Sequence, residues 1–168
     1  MRNRILTSVF MIAALLALAL PAAARQSDDK PRVGAGLSFL HDEGETAVGV
    51  AVDVAKPIRS MTNSSLSLVG DVGINKFNGF TVFSLLGGPR ITWTSDAKVH
   101  PYAQFLVGLE HCCEENAFTL QPGGGIDYMY NEKMAIRAAI DFRIARYGGQ
   151  NFNETRFWFG VSTKLGSN

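Results

Sequence analysis

The densest cluster of chemically able side chains is His111-Cys112-Cys113-Glu114-Glu115. Imidazole, thiolate and carboxylate are all competent zinc ligands. Adjacent side chains on an extended chain point apart, so a single ion could take His111, Cys112 and Cys113 only in a tight loop. A disulfide between neighbouring cysteines would be strained and easily reduced. The cluster therefore reads as an exposed loop with two incidental thiols and no metal. Nucleophilic catalysis requires a base beside the nucleophile. The chain has three histidines, with His41 and His111 expected in loops and His100 near a strand start. None has a serine and a carboxylate at recognisable spacing. No catalytic residue is assigned, and the chain is read as a non-enzyme without a cofactor.

A second set of charged residues is spread along the chain at a period of two. From Lys133 to Arg146, Met134, Ile136, Ala138, Ile140, Phe142 and Ile144 alternate with Ala135, Arg137, Ala139, Asp141, Arg143 and Ala145. The helical set starting at Met134 would mix Arg137, Ala138 and Asp141, so the stretch is a strand. Its charged face also carries alanines, which suits a crowded interior.

The same alternation predicts seven further strands. They run over Val33–Leu40, Thr46–Ala55, Ser65–Asn75, Phe80–Trp93, Val99–Glu110, Ala117–Tyr130 and the segment after Asn153. Lys56 to Ser64, with Pro57 and Asn63, reads as a connection. Pro89 and Pro122 lie inside strand patterns beside glycines and predict bulges or bends. Eight strands with short connections favour antiparallel neighbours and can close into an all-β, up-and-down barrel.

Collecting the second face of every strand gives Asp53, Asp71, Glu110, Asp127 and Asp141 against Arg90, Arg137, Arg143, Arg156 and Lys164. Most other members of that face are Gly, Ala, Ser, Thr, Gln and Asn. A narrow eight-stranded interior requires small residues, and charges in it must be paired. An apolar outside and polar inside follow, the pattern of an outer-membrane barrel. Trp158 is expected to point inward over Gly34 and Gly36. Trp93, Tyr128 and Tyr130, where two strands finish, are expected to form an aromatic girdle at the periplasmic rim. The competing arrangement is a soluble periplasmic lipocalin-like barrel with the apolar face inside, binding a small apolar ligand.

The ends and the overall balance agree with export. Arg2 and Arg4 precede an apolar run from Met11 to Leu20, followed by Pro21-Ala22-Ala23-Ala24, so residues 1–24 read as a cleaved signal peptide. Residues 25–32 form a polar leader, and 33–166 form the barrel domain. The whole chain has 16 basic and 15 acidic residues. Two of the basic ones fall in the signal, leaving no basic excess for binding nucleic acid. Two adjacent cysteines supply no disulfide framework.

Several pieces resemble the small bacterial outer-membrane β-barrel domains of the OmpA and OmpX type. They are GGPRITW from Gly87 to Trp93, HPYAQFLVG from His100 to Gly108, QPGGGIDY from Gln121 to Tyr128, and the alternation through Arg146. The resemblance covers about Val33 to Gly166. It implies an eight-stranded barrel with a periplasmic N-terminus, localised to the outer membrane. The implied partners are outer-membrane lipid, the insertion machinery and an unidentified surface ligand. In place of the family's usual terminal aromatic, the chain closes on Leu165-Gly166-Ser167-Asn168.

Overall fold

The computed structural model describes residues 30–42, 44–94, 98–113 and 115–166. The expected signal peptide and residues 25–29 of the leader lie outside these. Eight strands are present: β1 (Arg32–Asp42), β2 (Glu45–Met61), β3 (Ser64–Lys76), β4 (Thr81–Trp93), β5 (Val99–Cys112), β6 (Glu115–Met129), β7 (Met134–Tyr147) and β8 (Gln150–Lys164). Each pairs antiparallel with the next, and β8 pairs with β1 to close the barrel. Closure removes both sheet edges, so each strand finds backbone partners on both sides.

The chain enters at what we call the near end, which also holds the connections after β2, β4 and β6. The far end carries the tight turns after β1, β3, β5 and β7. Several strands are longer than the alternation predicts. β2 continues through the expected Lys56–Ser64 connection to Met61, leaving only Thr62 and Asn63 as a turn. It does so by inserting Ile58 as an extra residue, since Pro57 pairs with Ser67 and Arg59 with Leu66. At the far end, β5 takes in His111 and Cys112, and β8 begins at Gln150.

Of the bulges or bends expected at Pro89 and Pro122, no bulge forms. Pro89 pairs with Leu68 of β3 in unbroken register, and Pro122 pairs with Phe105 of β5. On the opposite side of each proline the ladder has a gap, from Gly87 to Arg90 against β5 and from Leu120 to Gly123 against β7, with the register unchanged across it. The missing proline N–H is thus absorbed as a local opening rather than an extra residue.

Large apolar side chains cover the outside: Val48, Val50, Val52 and Val54 of β2, Phe83 and Leu85 of β4, and Ile136, Ile140, Phe142 and Ile144 of β7 are all exposed. The registers show where this belt stops. Phe39 pairs with Val48 and Phe157, and two residues further on His41 pairs with Thr46 and Thr155. Ile74 pairs with Phe83, and next outward Lys76 pairs with Thr81. The belt therefore ends at one level across these strands, below a polar far rim.

Candidate functional site

The inside of the barrel is where the alternation puts the charges, and two hydrogen-bonded networks occupy it. The larger runs through seven strands. Arg137 donates from Nε and Nη2 to Asp127 at 2.6 and 2.9 Å, and from Nη1 to both oxygens of Asp53 at 2.9 and 2.7 Å. Asp53 Oδ2 also meets Arg90 Nη1 at 2.7 Å, an ion-pair contact outside hydrogen-bond alignment. Arg90 donates to Gln104 Oε1 at 2.9 and 2.7 Å, and Gln104 donates to Asp141 Oδ1 at 2.9 Å. Arg156 bridges Asp141, at 2.8 and 3.0 Å, to Asp71, at 2.8 and 3.1 Å.

The smaller network lies nearer the far end. Arg143 Nη1 donates to Glu110 Oε2 at 2.7 Å and its Nε to Gln121 Oε1 at 3.0 Å. Tyr147 donates its hydroxyl to Glu110 Oε1 at 2.8 Å. Glu154 Oε2 stands 3.9 Å from Arg143 and has no hydrogen bond.

Nine of the ten charged residues expected inside are thus buried and brought together. Lys164 is the departure: half-buried, it lines a cavity of about 250 Å³ at the near mouth with Lys30 and Arg32. Glu154 is not among those ten, yet it too is buried inside β8. Among the described residues buried acids exceed buried arginines, six (Asp53, Asp71, Glu110, Asp127, Asp141, Glu154) against four (Arg90, Arg137, Arg143, Arg156).

Aromatic and small residues complete the packing. Tyr102 presents its ring to Arg90 at 4.6 Å and Arg137 at 5.1 Å, a cation–π arrangement that explains an aromatic on a polar face. Trp158 is inward as expected; it pairs with Ser38, and its ring lies 5.8 Å from the Arg137 guanidinium. A Cβ at Gly34 would collide with the Asp53 carboxylate, and one at Gly123 with that of Asp141. These two glycines are therefore part of the charge site, and their inward phase opposite Asp53 and Asp141 is the signal that could have found them. The interior is not wholly polar. Val69, Leu86 and Leu106 pack with Ala55 on the β2–β5 wall, and Leu40, Ala47, Phe77, Val82 and Cys112 pack under the far mouth.

The remaining candidates lie at the ends. Trp93, Tyr128 and Tyr130 are exposed around the near rim. His41 and His111 sit within strand ends rather than loops, hydrogen-bonded across the ladder to Thr46 and Asn116 at 3.0 Å. Cys112 is buried and Cys113, in the turn at φ 55°, is exposed; both thiols are free. His111, Cys112 and Cys113 do not converge, and among the described residues no group of three or more such side chains is arranged to hold a metal.

Comparison with known proteins matches this fold and not the sequence. No family model and no curated protein matches the chain. Among solved structures, Neisserial surface protein A is similar with a TM-score of 0.62 at 14% identity, over 80% of this chain and 96% of its own. The outer-membrane enzyme PagL gives 0.58 at 9%, over 80% and 99%. The Yersinia pestis attachment invasion locus protein Ail gives 0.54 at 12%, over 81% and 97%. The chain has the fold of the small eight-stranded outer-membrane β-barrels.

Proposed function

We propose that the chain is an outer-membrane barrel that anchors in lipid and presents its far rim outward, with a structural or surface-interaction role and a lumen closed by paired charges. The observation that carries the closed lumen is the small cavity enclosed at the middle of the larger network. Among Asp53, Asp71, Arg90, Arg137, Asp141 and Arg156 it amounts to about 10 Å³. A single water needs roughly that much, so no hydrated ion passes without breaking several ion pairs.

The lipid-facing reading rests on the belt of exposed Val, Ile, Leu and Phe side chains, which would be costly in water over so large a contiguous area. Trp93, Tyr128 and Tyr130 on the near rim act as the interfacial girdle in this reading. A cleaved signal peptide and delivery by the insertion machinery belong to the same proposal. The role is non-enzymatic: His41 and His111 are engaged at the far rim while His100 lines the near mouth. PagL shares the fold at an identity too low to bring catalytic residues with it.

Conductance tests the lumen. Purified protein in planar lipid bilayers is expected to give no sustained single-channel steps. Regular steps whose size follows salt concentration would overturn the plug.

A further inference from the structure

The far mouth holds a cavity of about 280 Å³, close to the lower end of the roughly 300 to 1,000 Å³ typical of small-molecule sites. Its walls are aromatic. Phe77 and Phe80 stack with ring centroids 4.8 Å apart, and Tyr147 meets Phe152 edge to face at 5.6 Å. Acidic residues complete the lining, with Asp42 and Glu115 joined by Glu154. Among the described residues no lysine or arginine lines the cavity.

Glu154 supplies the independent sign of a ligand. The residue is 7% exposed, and its Oε2 is buried without a hydrogen bond. The nearest cation, Arg143, is 3.9 Å away and already donates to Glu110 at 2.7 Å. A buried carboxylate oxygen left unpartnered is costly. The Glu154 side chain lines a cup whose ring faces attract positive charge.

We propose that this cup binds a small organic cation, an ammonium group on an apolar aromatic or alkyl body, with Glu154 as the charge partner. The ammonium meets the Glu154 carboxyl group from the cup while the body packs between the Phe77–Phe80 and Tyr147–Phe152 pairs. Anionic ligands are repelled by the three acids, and neutral ones leave Glu154 without its charge partner. The site gives the surface-interaction role a ligand class and rests on that role for the outward orientation of the far end.

The test uses the folded full-length mature chain in lipid nanodiscs, followed by amide NMR. The probe is phenethylammonium chloride, with phenethyl alcohol and hydrocinnamate as neutral and anionic isosteres. Saturable shifts are expected at Phe77, Cys112, Tyr147, Phe152 and Glu154. The alcohol should bind roughly tenfold more weakly, the loss of one charge-assisted contact, and hydrocinnamate should not bind. Glu154→Gln should lower phenethylammonium affinity by a similar factor. If that variant does not fold, the isostere series on the unmodified chain decides alone. Equal affinity for ammonium and alcohol, absence of saturable shifts at the cup, or full affinity in a folded Glu154→Gln protein would overturn the site. A barrel that resists unfolding on unheated gels yet fails to bind the amine rejects the site alone; a chain without that resistance rejects the barrel reading too.

Discussion

Arg137 shows how much depends on single residues inside the barrel. It serves Asp53 and Asp127 at once, and removing it leaves two buried carboxylates without their strongest partner. Breaking a buried pair from one side costs about 3–5 kcal/mol. Arg137→Met should therefore lower the unfolding free energy, read from urea titration in detergent, by that amount, and adding Asp53→Asn should restore part of the loss. Equal stability of Arg137→Met and the unmodified protein would mean that the network adds nothing. That Arg137, Asp141 and Arg143 point inward is legible from the period of two alone. Their partners are not, because Arg137 and Asp53 are 84 residues apart and Arg156 and Asp71 are 85 apart, so only closure of the sheet brings them together. Glu154 escapes sequence reading for another reason. Gln150 to Glu154 is polar on both faces apart from Phe152, so nothing in its hydropathy distinguishes a strand rising above the apolar belt from a loop.

At the scale of the element, β7 carries the account most directly. Ile140 is exposed at mid-strand and pairs with Phe157 of β8. Arg at the lipid midplane costs about 2–4 kcal/mol, so Ile140→Arg should reduce the folded fraction recovered in lipid vesicles. Folding as efficient as in the unmodified chain would reverse the assignment of faces. β4 offers the opposite sign. The ladder to β5 is open beside Pro89, and Pro89→Val would supply the absent N–H; a gain of about 0.5–1.5 kcal/mol is expected, read from the same urea titration. The existence, order and phase of all eight strands are visible in the sequence. Their ends are less so: the Ile58 bulge lets β2 run past Pro57, whereas an isolated proline reads as a stop.

For the whole molecule, one geometric fact ties the residues and elements together: closing eight strands makes a space narrow enough for four arginines and six acids to fill. Closure itself follows from the even strand count and short connections, and so was legible. The two apolar clusters inside, around Leu40 and Leu106, were not, because an inward Leu in a mostly polar face looks like an irregularity until its neighbours from other strands are known. The central claim is that the exposed Val, Ile, Leu and Phe belt meets lipid. Its most direct measurement is gel mobility, with and without heating, of protein recovered from fractionated cells. The chain is expected in the outer-membrane fraction, migrating as a compact form unheated and shifting on boiling. Release by osmotic shock as a soluble protein with a single mobility would contradict the account.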